Sequence, residues 1–358
     1  MSLNHSHSHL WPGVPLAIGS AVLFGASTPL SKYLLGTVDP WMLAGILYLA
    51  AGFGLFLVGW ISKKFSPQSS EASLKRVDFP WLAAVILMGG LIGPLLLMFG
   101  LARTGASQAS LLLNLEGLAS MAIAWLFFKE NVDRRLLLGA MAILCGAVFI
   151  TWNGSGLHFD FGSLLIAGAC LAWGIDNNLT RKLSASDPIQ IAMIKGLVAG
   201  TVNIALAIGM GAKLPTVTTI IGASVVGFLG IGVSLVMFML GLRHLGTART
   251  GAYFSTAPFI GAMLAILLLA EPLTWQILIA GLLMLIGLWL HLAERHEHEH
   301  SHTILEHEHA HSHDQHHQHE HVDAVSEPHS HLHRHEPLRH QHPHYPDLHH
   351  RQDRKSVV

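Results

Sequence analysis

Trp173-Gly174-Ile175-Asp176-Asn177-Asn178-Leu179-Thr180-Arg181-Lys182 is the stretch on which the reading of this chain turns. It closes an apolar run that begins near Phe161. A bilayer core about 30 Å thick takes about 20 helical residues, so Asp176, Asn177 and Asn178 fall within a span rather than in a loop. A carboxylate at that depth costs a few kcal/mol, and intramembrane acids line cavities, ion paths or relays. The next apolar run begins at Ile189 and carries Lys195. At about 1.5 Å per helical residue, Asp176 and Lys195 reach similar depth from the short loop between them, and can pair. One reading is a gated pair, opened by substrate or by a proton. The other is a permanent pair that fixes helix register. Asn177 and Asn178 add amide ligands or bond across helices.

The chain has 358 residues, 51% of them hydrophobic and 12% charged, against about 25% charged in a soluble domain. Between Trp11 and Ala293 it reads as an integral membrane protein. The fold class predicted is all-α, with ten transmembrane helices at residues 14–35, 40–61, 80–101, 107–128, 135–152, 161–180, 189–210, 217–242, 248–270 and 274–292. Seven of the nine tryptophans fall near span ends, where an aromatic belt sits. Cys145 and Cys170 lie in spans, so no disulfide framework is expected. Met1–Leu10 lacks a basic n-region and a cleavage site, and reads as no signal peptide. With the N-terminus inside, the cytoplasmic loops hold twelve Lys and Arg against three (Lys32, Arg103, Lys213) outside. That bias predicts both termini in the cytoplasm.

The spans repeat. A shift of 141 lays Met98-Phe99-Gly100-Leu101 on Met239-Leu240-Gly241-Leu242, Gly105 on Gly246 and Glu130 on Glu271. A shift of 149 lays Phe24-Gly25 on Trp173-Gly174 and Ser31-Lys32 on Thr180-Arg181. Each copy holds five spans, and an odd number inverts the second copy relative to the first. These features resemble the EamA branch of the drug/metabolite transporter superfamily: ten spans in two repeats, Phe-Gly or Trp-Gly in the first helix of each, and a Glu closing the fourth. The resemblance divides the chain into a short tail at 1–12, a five-helix repeat at 13–153, a second at 161–293, and a tail at 294–358 outside the resemblance. It implies a secondary transporter of the cell (inner) membrane, commonly an exporter of small molecules, working by alternating access. Its partners are the lipid bilayer and a small-molecule or metal-ion substrate, with a homodimer left open.

The candidate substrate-binding residues are Asp176, Asn177, Lys195, Glu116 and Asn114. Glu116 stands near the middle of the fourth span, two residues after Asn114. It suits proton coupling or cation binding, or else is a protonated, hydrogen-bonded group of the bundle. Lys32 reaches toward the outer end of the first span and can snorkel. Glu130 and Glu271 read as structural. Gly196 and Gly200 read as a close-packing spacing, and His244 and His291 as interfacial residues.

The tail is the other large signal. Of 27 histidines, 21 lie from His296 to His350. His-x-His runs place His296, His298, His300 and His302, then His307, His309, His311 and His313, as candidate metal ligands. Imidazole suits zinc, copper, nickel and iron, and a His-rich tract reads as metal binding, here expected to be of nickel, cobalt or zinc. A pH-responsive polycation or a neutral extension is the alternative. With little apolar content the tail is expected to be disordered without metal. The function expected is therefore export of a divalent transition metal collected by the tail. The alternative is export of an organic metabolite or amino acid, with the tail regulatory. A membrane-anchored metal buffer is a third reading, disfavoured by the repeats and the buried charges. No cofactor is required. No nucleotide motif, nucleophile elbow or catalytic metal spacing supports an enzyme, and nothing supports nucleic-acid binding.

Overall fold

In a bilayer core no water satisfies the backbone, so each crossing segment closes its own hydrogen bonds as helix. A computed structural model describes residues 12–65, 74–128, 132–152, 160–180, 183 and 187–292, and in the tail 299–301, 305–311, 329–335 and 339–341. The helices are α1 (Gly13–Leu34), α2 (Pro40–Phe65), α3 (Arg76–Arg103), α4 (Ala106–Phe128), α5 (Arg134–Thr151), α6 (Phe161–Thr180), α7 (Pro188–Gly209), α8 (Val217–Leu242), α9 (Arg249–Leu269) and α10 (Trp275–Leu292). Short polar caps start several of them: Asp133 accepts from Leu136 N, Asp187 from Ile189 N and Thr216 from Thr219 N.

Among the described residues, nine helices are long and apolar enough to cross a membrane, and α6 is not one of them. Nine of the ten expected spans thus meet that measure, and the tenth, α6, is a helix of 20 residues. The polar run Asp176-Asn177-Asn178 and Thr180 dilute the hydropathy of a helix of 20 residues. Large apolar side chains are exposed around the outside, among them Leu138 on α5, Leu267 on α9 and Leu282 on α10. A soluble monomer rarely exposes so wide an apolar surface.

The helices α1 to α5 and α6 to α10 pack in an exchanged pattern. α1 lies on α8 and α9; correspondingly, α6 lies on α3 and α4. α2 pairs with α7 and α5 with α10. Glycines set the approach. A Cβ on Gly174 would sit 2.9 Å from Ser120 N, and one on Gly25 would sit 3.2 Å from Gly261 N. The shift of 141 that relates the repeats carries 120 to 261, so the two crossings use matched residues. A Cβ on Gly196 would lie 2.7 Å from Gly52 Cα, so this glycine does serve close packing of α2 on α7.

Regular helix is broken at matched places too. Ile86–Ile92 in α3 and Phe228–Val233 in α8 are π-helical; adding 141 to the first range gives 227–233. In α4 the ladder stops at Leu113–Asn114 and resumes at Leu115, and beyond α8 a stop falls at Ser255–Thr256. Helical backbone continues from Ser234 to Phe254, through the expected loop between the eighth and ninth spans. It cannot be straight: a Cβ on Gly241 would meet Thr250 Cγ2 at 3.1 Å, whereas nine residues of straight helix span about 13.5 Å.

In the described segments of the tail the backbone forms β1 (Glu299–Ser301), β2 (Leu305–His311), β3 (His329–His335) and β4 (Arg339–Gln341), paired antiparallel as β1 with β4 and β2 with β3. Alternation of His with another residue has the period of two that a strand requires. Of the expected metal ligands, His296, His298, His302 and His313 lie outside the described residues, and His300, His307, His309 and His311 are described by backbone alone. Glu130, Arg181 and Lys182 also lie outside them.

Candidate functional site

α6 carries the polar run into the middle of the helix packing. Asp176 is 4% exposed, and its Oδ2 lies 2.8 Å from Lys195 Nζ on α7. Its Oδ1 accepts from Thr180 Oγ1, one turn on, at 3.3 Å. Across the pair stands the π segment of α3, whose Gly89 leaves room for the Asp176 carboxylate: a Cβ on Gly89 would collide with it. The Gly89 carbonyl accepts from Tyr48 Oη of α2 at 3.0 Å and from Trp173 Nε1 of α6 at 3.2 Å. The π segment thus joins α2, α3 and α6 beside the ion pair, and π-bulges are frequent at functional sites.

The other two polar residues of the run turn toward α4. Asn177 Nδ2 donates to Glu116 Oε1 at 3.0 Å and to Ser120 Oγ at 3.1 Å. Asn178 is buried and donates to Ser120 O at 3.0 Å and Gly174 O at 2.9 Å; it is a cross-tie between α6 and α4. Asn114, expected beside Glu116, does not line the cavity. It occupies the break in α4, where its Nδ2 donates to Leu111 O at 2.8 Å. A side chain two positions from Glu116 on a helix points elsewhere, and the broken ladder supplies an acceptor.

Asp176, Asn177, Lys195 and Glu116 line one cavity of about 530 Å³, together with Tyr48, Trp173 and residues of α1, α8 and α9. That volume suits a small-molecule site. Phe24 and Trp173, matched by the shift of 149, both line it. Sequence reasoning found the charges, because charge in an apolar run is conspicuous. It missed Tyr48, Phe24, Phe238 and Phe254 as cavity residues, although the repeat match of Phe24 with Trp173 was a usable signal.

Charged residues at one edge of the bundle hold the turn between α3 and α4. Lys32 Nζ donates to Leu101 O at 2.6 Å and Thr104 O at 2.9 Å. Glu271 accepts from Ala106 N at 2.6 Å and Ser107 N at 2.8 Å. Ala270, left-handed at φ 51°, ends α9 immediately before Glu271. Asp160 accepts from Thr104 Oγ1 at 2.9 Å and Ser163 N at 3.2 Å. These are structural roles, as expected for Glu271. His291 Nε2 lies 3.0 Å from Leu136 O, tying α10 to α5.

A bundle of apolar helices around a cavity with a buried ion pair is the architecture of a multi-pass membrane protein with room for a small ligand. The chain belongs to the EamA-like transporter family, whose profile matches residues 11–152 and again 160–293. A protein of Methanothermobacter thermautotrophicus described as "Uncharacterized transporter" is 31% identical, over 78% of this chain and 86% of its own. A Salmonella typhimurium protein described as "Probable amino-acid metabolite efflux pump" is 24% identical, over 77% of this chain and 93% of its own. A solved crystal structure shares the fold at a TM-score of 0.57 and 16% identity, over 78% of this chain and 96% of that one.

Proposed function

We propose that this protein exports small organic metabolites with a zwitterionic head, amino acids or close derivatives, across the cell (inner) membrane. The observation that carries this reading is the Asp176–Lys195 pair, at 2.8 Å on the cavity wall. A buried ion pair is a template for a zwitterion. The substrate carboxylate takes Lys195 and its ammonium takes Asp176 or Glu116, so the charges of the cavity stay balanced as the pair opens. Asn177, bonded to Glu116 at 3.0 Å, orients that second acid. The name of the Salmonella relative points the same way.

Alternating access follows from two inverted five-helix repeats that exchange partners about α2 and α7, with both termini cytoplasmic. Export of a transition metal has less behind it. Among the described residues no group of three or more His, Cys, Asp or Glu could hold a metal ion, and Lys195 repels a cation. The tail keeps a separate proposal, binding of nickel, cobalt or zinc as a store or regulator.

Uptake into inverted membrane vesicles is the test, with radiolabelled amino acids and then nickel, cobalt and zinc supplied in turn. Protein-dependent uptake of an amino acid, unchanged when the chain is truncated after Ala293, is expected. Uptake of a metal with none of any amino acid would overturn the reading.

A further inference from the structure

Three phenyl rings enter the cavity from helices that supply none of its charges. Phe24 of α1, Phe238 of α8 and Phe254 of α9 line it. The Phe24 and Phe254 centroids are 5.3 Å apart with planes at 43°, and those of Phe238 and Phe254 are 4.9 Å apart at 60°. Tilted pairs at such distances are favourable, so the three rings form one continuous apolar wall. Glu116, Asp176 and Lys195 belong to α4, α6 and α7 instead. All three rings are half-buried, and all three line the cavity that Glu116, Asp176 and Lys195 also line.

We propose that Phe24, Phe238 and Phe254 form the subsite for the apolar body of the substrate, which makes the preferred substrate an amphipathic zwitterion. The proposal rests on the zwitterion reading above and adds which zwitterions are chosen. The head exchanges with the Asp176–Lys195 pair, and a bulky apolar side group packs against the rings. A pocket that excludes water around an apolar group discriminates by size, at about tenfold or more for a substantial difference in side chain. Small or polar amino acids leave the wall uncovered and bind weakly.

The experiment uses the full chain in inverted vesicles, with radiolabelled alanine, leucine and phenylalanine. In the wild type KM falls by about tenfold or more from alanine to leucine or phenylalanine. Phe238→Ala and Phe254→Ala bring that ratio to within about twofold, raising the KM for leucine and phenylalanine far more than the KM for alanine. A merely structural role would lower the maximal rate for all three alike and preserve the ratio, and that result overturns the proposal. If the alanine variants do not reach the membrane, Phe238→Leu and Phe254→Leu serve: the phenylalanine preference falls while leucine transport persists, and an unchanged preference overturns the proposal. Equal KM for all three in the wild type sinks the subsite alone. Absence of transport for every zwitterion sinks both the subsite and the head-group reading.

Discussion

Both carboxylate oxygens of Asp176 have partners inside the bundle, Lys195 on one and Thr180 on the other. Gly89 makes the arrangement possible, since any Cβ there would occupy the space of the carboxylate. Gly89→Ala must therefore push Asp176 from Lys195 or deform the π segment. Overpacking of this kind costs about 1–3 kcal/mol. Transport by the variant should drop by an order of magnitude or more and its Tm in detergent should fall, whereas Gly59→Ala, where a Cβ meets nothing within 4 Å, should change neither. Wild-type transport by the Gly89 variant would detach the glycine from the site. At this scale the sequence revealed charge and concealed aromatic function. Asp176, Lys195 and Glu116 stand out of apolar runs, but Phe238 and Phe254 look like any lipid-facing or core residue. Asn114 looked like a partner of Glu116 only because the break at Leu113–Asn114 carries no signature in composition.

Spans in α3, α4, α8 and α9 were legible from hydropathy, but their interruptions were not. The π segments at Ile86–Ile92 and Phe228–Val233 contain glycines, which permit a wider turn without demanding one. The start of α6 shows how a cap adds to such a helix. Burial pushes the Asp160 carboxyl up, but hydrogen bonds from Thr104 Oγ1, the Ser163 and Gly162 backbone and Ser163 Oγ outweigh it, so its pKa lies below the ordinary value of 3.8. A carboxyl depressed in the folded state contributes stability that is present above its unfolded pKa and lost as pH falls through the folded one. Asp160→Asn keeps a capping oxygen but removes the charge, and should thus lower stability near neutral pH. The gap between the Tm values of the two proteins should close as pH falls below about 4. A gap that persists unchanged into acid would show that the carboxylate's charge contributes nothing.

Across the whole molecule, α1 packs on α8 and α9 as α6 packs on α3 and α4. The family profile matches twice, at 11–152 and 160–293. What the sequence could not show is that α2 and α7 meet through Gly52 and Gly196 and so place Tyr48 and Lys195 on one cavity. That contact depends on three-dimensional approach and not on local pattern. The cavity therefore lies where the two sets of five helices meet, and under the proposed function the pair that joins α6 and α7 is the element a substrate opens.

The most direct measurement is transport by the double variant Asp176→Asn/Lys195→Met beside each single variant. Removing one partner of a buried pair leaves an uncompensated charge and costs about 3–5 kcal/mol, whereas removing both can be nearly neutral. The double variant should therefore reach the membrane in wild-type amount and regain thermal stability, yet carry substrate at less than about a tenth of the wild-type rate, a loss of more than about 1.4 kcal/mol in transition-state terms. Wild-type transport by the double variant would contradict the account, because it would make the pair a fixture of helix register and not the place where substrate binds.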